Sequence, residues 1–390
     1  MANVFIPRER RPGETRVAAT PDTVRRMIKQ GLEVTVERGA GEGSAFLDAD
    51  YEAAGARLSD DPASSAGEAD VILTVRPPDP DDVSGLKQGA VLVGLLAPHQ
   101  NLDLVRAMAE RKVTSLAMEL VPRITRAQAM DALSSQASIA GYRAVLLAAW
   151  RLPKYFPLLM TAAGTIPPAR VVIMGAGVAG LQAIATARRL GAVVEVSDVR
   201  PVVKEQVESL GGKFIPLPEI PSGEGQGGYA REMGEEFLRR QREIVKKHLG
   251  AANAAITTAL VPGKRAPILI TADMVEAMRP GSVIVDLAVE QGGNCELSQP
   301  DREVLHNGVL ILGPSNLPAG MPSDASGLYA KNVLALLQEI VKDGKVTINA
   351  GDEVLAGCLL THEGTVLHQA TADLLQAAAD LLQAPAPSSG

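Results

Sequence analysis

The chain has 390 residues, 46% of them hydrophobic and 3% aromatic, and a formal net charge of −7. That length suggests two domains or slightly more, with cores filled by Ala, Val and Leu. The negative charge argues against a nucleic-acid partner, which asks for a basic stripe.

Two cysteines, Cys295 and Cys358, suggest a reducing compartment without a disulfide framework. Neither stands at a metal-ligand spacing, and no metal is expected. No signal-peptide pattern opens the chain. No run of about eighteen apolar residues offers a bilayer span. Any membrane association is therefore expected to come through a partner.

Asn3–Pro7 predicts a first strand. Thr20 reads as an N-cap, with Pro21 at the first helical position of a helix over Asp22–Gln30. Glu33–Glu37, Asp70–Val75, Ala90–Leu95 and Lys112–Met118 are further apolar runs with helical or turn segments between them. This is the alternation of a parallel sheet. No glycine fingerprint falls in this first lobe, so it is not expected to grip a nucleotide by itself. Arg16 and Arg76 read either as anion-binding residues at strand ends or as surface charges.

Glu119 to Ser138 is polar, yet it lies between an apolar strand and a long apolar helix. Arg123, Arg126, Gln128, Asp131, Ser134, Ser135 and Gln136 crowd a short space. One reading is a helix N-terminus with a solvated face. The other is a loop reaching over a ligand, in which Arg and Asp hold each other and a carboxamide while Gln and Ser add neutral hydrogen bonds. Ala140–Trp150 predicts an apolar helix connecting two domains.

Arg170 to Arg200 carries the most specific pattern. Val171–Met174 predicts a strand buried on both faces. Gly175, Gly177 and Gly180 then give G-x-G-x-x-G. The first glycine suits the tight turn, the second lets a pyrophosphate approach the backbone, and the third allows close packing of helix on sheet. A helix over Ala179–Leu190 presents free N–H groups to the phosphates. Ala192–Ser197 is the second strand. Asp198 follows eighteen residues after Gly180, near the spacing of a carboxylate that grips an adenosine ribose. An acid there also repels a 2′-phosphate, so NAD(H) is favoured over NADP(H). Arg200 reads as a solvated surface charge.

Pro201–Leu210 predicts a helix and Lys213–Ile215 a strand. Pro221 to Gly234 holds five glycines, a density no regular element survives. It reads as a linker or as a lid, with Tyr229 its only aromatic residue. Ala254–Thr258, Ser282–Asp286 and Val309–Leu312 are further strands. By the rule that ligands lie beyond the carboxyl ends of such strands, Thr258, Asp286, Glu290 and Asn316 are placed to edge a cofactor. Ser323–Glu339 is a second connecting helix. Lys345–Ile348, Glu353–Leu360 and Thr365–His368 read as short antiparallel strands, before a helix over Ala370–Gln383 and a Pro/Ser/Gly tail. The fold class expected is α/β: two Rossmann-like lobes with parallel sheets, joined by two long helices around a cleft. The lobes expected are 1–136 with 328–382, and 137–327, with 383–390 a flexible tail.

Several stretches together resemble one family. PRITRAQAMDALSSQASIAGYRAV, MGAGVAGLQAIATARRLGA, GGYAREM, TTALVPGKRAP, GSVIVDLAVEQGGNCE and PSDAS are similar to the NAD(H)-binding domain I of proton-translocating nicotinamide nucleotide transhydrogenase. The resemblance covers nearly the whole chain and implies the split bacterial form. There this polypeptide binds NAD(H), while separate membrane-spanning and NADP(H)-binding beta chains complete the enzyme at the cytoplasmic face of the inner membrane. It implies direct hydride transfer between NADH here and NADP+ on the partner, coupled to proton translocation. It also implies a homodimer. Arg123, Gln128, Asp131 and Ser134 match the loop at the nicotinamide end. Tyr229 matches the tyrosine of a closing loop. The cofactor-binding set expected is Gly175, Gly177, Val178, Ala179, Gly180, Asp198, Val199, Arg200, Gly228, Thr258, Ala259 and Leu260.

The alternative is alanine dehydrogenase, similar in fold and in the Arg16–Pro21 stretch. That family uses a histidine in its first lobe and an aspartate before a QGG sequence. Here those registers fall on Leu96 and Glu290. Amino acid dehydrogenation needs a group to shuttle a proton. Hydride passage between two nicotinamides needs only rings held close with water excluded.

Overall fold

The computed structural model describes residues 1–217, 234–261 and 264–383. The chain divides into two compact units. One comprises Met1–Gln136 and the stretch from Met321 on; the other is Ala137–Gly320. The chain leaves the first unit within the helix Ala132–Arg151 and returns just before the helix Pro322–Ile340.

The first unit is built on an eight-stranded sheet. Six strands run parallel, in the order Thr114–Ala117, Val91–Gly94, Val71–Leu73, Asn3–Ile6, Glu33–Glu37, Arg57–Ser59. Leu359–His362 and Thr365–Val366 extend it with antiparallel pairs. Its strands bury both faces, as the continuous apolar runs require. Val4 and Ile6 enter one core cluster and Phe5 the other. Thr20 caps the helix Pro21–Lys29, as the sequence indicates, and Thr23 closes the cap into a reciprocal capping box.

One expected strand is a helix. Glu353–Cys358 is helical, with the Asp352 carboxylate accepting from the amides of Val354 and Leu355, and the strand begins only at Leu359. A short apolar run has no period long enough to separate helix from strand, and the cap decides.

The second unit carries a seven-stranded sheet in the order Lys213–Phe214, Val193–Ser197, Arg170–Met174, Ala254–Thr257, Val283–Asp286, Val309–Leu312, Glu303–His306. All but the last are parallel. Arg170–Met174 pairs with Val193–Ser197 on one side and Ala254–Thr257 on the other, so the strand order reverses beside it. Its side chains alternate between two clusters, Val171 and Ile173 in one and Val172 and Met174 in the other. The helix Glu235–Ala251, the edge strand Glu303–His306 and the exposed hairpin Leu159–Thr161 with Gly164–Ile166 have no counterpart in the sequence reading. Pro201–Leu210 splits into a 3₁₀ turn, Pro201–Val203, and a short helix, Lys204–Ser209. Among the described residues no helix is long and apolar enough to cross a membrane.

Candidate functional site: the glycine loop and the polar turn

In the second unit the loop after Arg170–Met174 stands where strand order reverses, the position at which open parallel sheets take ligands. Gly175 turns with φ +101°, and a Cβ there would stand 2.6 Å from Thr258 Oγ1. A Cβ on Gly180 would lie 1.9 Å from the Gly175 carbonyl oxygen. These two glycines are demanded by the fold itself. Gly177 is different. It is the extended N-cap of the helix Val178–Arg189, and a Cβ there would meet nothing within 4 Å. The empty space belongs to whatever approaches the helix N-terminus, where the first-turn amides lack intrahelical partners. Val178 is exposed and Ala179 half-buried on that turn. Gly141, unremarked in the sequence, lets its helix touch this turn: a Cβ there would come 2.0 Å from the Ala179 carbonyl oxygen.

Asp198 ends the neighbouring strand and is buried. Its Oδ2 accepts the amide of Ala176 at 2.6 Å, joining the second strand to the glycine loop. Arg200 is not a solvated surface charge. It is buried, and its backbone amide and Nε donate to Asp198 Oδ1 at 2.8 and 3.0 Å, with Nη2 at 2.7 Å from Oδ2. A charge beside a buried opposite charge is drawn into the pair. Two residues of spacing on an irregular segment gave no means of seeing this. A carboxylate offers about four acceptor positions, and these four donors match them. Val199 between them is half-buried.

Thr258, Ala259 and Leu260 follow the strand Ala254–Thr257 and are half-buried. Thr258 Oγ1 donates to the Gly175 carbonyl at 3.2 Å. Ala259 is held by the side chain of buried Asn294, whose Oδ1 accepts its amide at 3.0 Å and whose Nδ2 donates to its carbonyl at 2.9 Å. Asp286, expected to edge a ligand, is fully buried and binds only the chain's own donors, among them Thr257 Oγ1 and the amides of Ala288, Asn294 and Cys295. Glu290 is exposed. Asn316 adopts a left-handed backbone, φ +48°.

The polar turn lies in the first unit. Asp131 caps the helix Ala132–Arg151: its Oδ1 accepts the Ser134 amide at 2.8 Å and its Oδ2 the Ser134 hydroxyl at 2.6 Å. Arg123 and Gln128 are exposed, Gln128 on the 3₁₀ helix Thr125–Met130. Arg126 is spoken for by Asp352, at 2.8 and 2.7 Å, and by Glu339 at 3.3 Å. Arg16 is a buried ion pair, its Nη2 2.6 Å from Glu14 Oε2 and its Nη1 2.8 Å from Gln136 Oε1. The fold thus gathers Arg123, Gln128, Asp131 and Ser134 in one unit, and the glycine loop, Asp198, Arg200 and Thr258–Leu260 in the other. Gly228 and Tyr229 lie outside the described residues.

At the carboxyl ends of the first sheet, Glu9 accepts the amides of Val75 and Arg76, and Glu119 those of Leu96 and Ala97. Burial pushes each carboxyl up to about 7, against the pull of those amides. Among the described residues no cluster of three or more His, Cys, Asp or Glu could hold a metal ion.

The family model for the alanine dehydrogenase/PNT N-terminal domain matches residues 5–140, and that for the alanine dehydrogenase/PNT C-terminal domain residues 144–369. The chain is 51% identical over 376 residues to the first of the split alpha-subunit chains of the NAD(P) transhydrogenase of Rhodospirillum rubrum, covering 94% of this chain and 98% of that one. It superposes on a transhydrogenase structure from Sinorhizobium meliloti with a TM-score of 0.86 at 46% identity, covering 93% of this chain and 99% of that one. On an L-alanine dehydrogenase structure the TM-score is 0.80 at 26% identity, with 96% and 99% covered. With both domain models matched over nearly the whole chain and 51% identity to a transhydrogenase alpha-subunit chain, the chain belongs to the alanine dehydrogenase/PNT family, on the transhydrogenase alpha-subunit side of it.

Proposed function

We propose that this chain is the NAD(H)-binding component of a Re/Si-specific, proton-translocating transhydrogenase. The observation that carries this reading is Gly177: an open N-cap at the point of strand reversal, on a chain 51% identical to a transhydrogenase alpha-subunit chain. The pyrophosphate of NAD(H) fits that cradle, with Val178, Ala179 and Gly180 offering the first-turn amides. Asp198, Val199 and Arg200 form the ribose edge; a ribose hydroxyl reaches Asp198 by displacing one of the Arg200 bonds. Thr258, Ala259 and Leu260 floor the crevice.

NADH, when bound, supplies the hydride. The protein's own task is to orient and to exclude water. Asp131 and Ser134, fixed by their mutual cap, and Arg123 hold the carboxamide end. Exposed Gln128 meets the second nucleotide, NADP(H), on the beta chain. The work is coupled to proton movement through a membrane-spanning chain, which keeps this one at the cytoplasmic face of the inner membrane. A homodimer is supported by exposed apolar side chains: Trp150 is 84% exposed and Met160, on the hairpin strand Leu159–Thr161, 78%, with exposed Tyr155 and Leu158 between them in sequence. Alanine dehydrogenase chemistry is disfavoured because Leu96, buried in the core, occupies the position where that family carries its histidine, while His99 is exposed three residues on.

The test mixes the chain with an NADP(H)-binding transhydrogenase chain and follows hydride movement from NADH to an oxidised NADP+ analogue. Transfer that needs both chains is expected. NADH oxidation by pyruvate and ammonia with this chain alone would sink the reading in favour of an amino acid dehydrogenase.

A further inference from the structure

We propose that Asn294 is the positioning residue that sets the floor of the dinucleotide crevice, its side-chain amide standing in for the peptide group of a missing strand neighbour. The proposal rests on the NAD(H) reading above. The ladder between Ala254–Thr257 and Val283–Asp286 ends at the pair Thr257 and Asp286. Two residues on, the peptide groups of Ala259 have left the sheet. Asn294 supplies what the ladder no longer does: Oδ1 accepts from Ala259 N at 3.0 Å, while Nδ2 donates to Ala259 O at 2.9 Å and to Pro267 O at 2.8 Å. Both hydrogens of the amide are used, and the side chain is fully buried.

Asn294 is itself fixed from two sides. Its amide donates to Asp286 Oδ2 at 2.8 Å, and its carbonyl accepts from Leu269 and Ile270 at 2.8 and 3.0 Å. The same Asp286 carboxylate accepts Thr257 Oγ1 at 2.9 Å, Ala288 N at 3.0 Å, Cys295 N at 2.9 Å and Ser298 Oγ at 2.6 Å. Gly293 makes the approach possible. Its φ is +78°, and a Cβ there would fall 2.9 Å from Asp286 Oδ2 and 2.5 Å from Ser298 Oγ. At the other end, the turn touches the fingerprint. A Cβ on Gly175 would stand 3.3 Å from Ala259 N, and Thr258 N donates to Met174 O at 2.9 Å. A displaced Ala259 therefore presses on the residue that turns the chain toward Gly177.

Asn294→Asp is the discriminating variant. As a carboxylate it keeps the acceptor for Ala259 N but sets negative charge against the carbonyls of Ala259 and Pro267. Protonated, it regains one donor and repairs the contact with Ala259. The experiment titrates the full chain with NADH, following nucleotide fluorescence from about pH 5.5 to about pH 8.5. Expected is an N294D-to-wild-type Kd ratio of roughly tenfold or more at the alkaline end, falling as pH is lowered. N294A should show a ratio raised and flat with pH. A role in stability alone would lower Tm and leave both ratios within about twofold at every pH, and that result overturns the proposal. Should N294D fail to fold, N294S carries the expectation of N294A. Wild-type chain that binds no NADH would overturn the nucleotide reading and this one with it; normal wild-type binding with unchanged variants overturns only the role of Asn294.

Discussion

A methyl group on Gly177 would enter open space, and one on Gly180 would enter the Gly175 carbonyl. The two substitutions therefore separate binding from folding. Gly177→Ala should leave stability within about 0.5 kcal/mol of wild type, since its backbone is extended and suits any residue. NADH affinity should nevertheless fall roughly tenfold or more as the Cβ meets the pyrophosphate. Gly180→Ala should cost about 3 kcal/mol or more, because overpacking against backbone cannot relax. Equal NADH affinity for wild type and Gly177→Ala, measured by equilibrium dialysis, would remove the phosphate from that place. Asp131 offers a second separation. Asparagine caps helices about as well as aspartate, so Asp131→Asn should keep the Ser134 amide bond and the fold. Hydride transfer should drop by roughly tenfold or more, with NADH binding weakened. An unchanged transfer rate would reduce the Asp131–Ser134 pair to a helix cap.

Among the elements, the strand ends of the first sheet carry a stability term that depends on pH. Glu9 and Glu119 are raised from 4.5 to about 7 because burial disfavours their charged forms. A carboxyl raised on folding stabilises fully below its unfolded value and loses that contribution as pH rises through the folded one. Thermal stability should therefore decline between about pH 4.5 and pH 7, by on the order of 3 kcal/mol per group. Glu119→Gln still offers a carbonyl to the Leu96 or Ala97 amide and cannot ionise. It should flatten the decline, and a variant with the wild-type pH slope would mean that Glu119 does not carry it. The exposed hairpin Leu159–Thr161 with Gly164–Ile166 is an element of another kind. A two-stranded hairpin is marginal by itself in water. Its exposed Met160, near Trp150 and Tyr155 in sequence, is the kind of surface that association covers.

For the whole molecule, that surface makes oligomeric state a direct measurement. Trp150→Glu with Met160→Glu should convert a dimer to monomer in light scattering while leaving the far-ultraviolet dichroism unchanged, since both side chains are solvent-exposed. A double variant that stays dimeric would place the interface elsewhere. The glycine loop and the polar turn lie in different units, and the helix Ala132–Arg151, capped by Asp131, continues from one into the other.

The sequence by itself determined the parts whose signals are local. The glycine fingerprint, the run of buried strands and the Thr20 N-cap depend on period, backbone geometry and residues within about one turn of each other, and each is found as read. Family resemblance extended that to the α/β class and to the transhydrogenase alpha subunit. Tertiary structure decided what distant partners decide. Arg200 is drawn out of solvent by Asp198, Arg126 is tied to Asp352 at the surface, and Glu353–Cys358 coils because Asp352 caps it. Asn294 shows no pattern in the chain at all. Its importance exists only because Gly293 and Asp286 deliver it to Ala259, 35 residues away, and a hydrogen bond across that separation has no period from which it could be read.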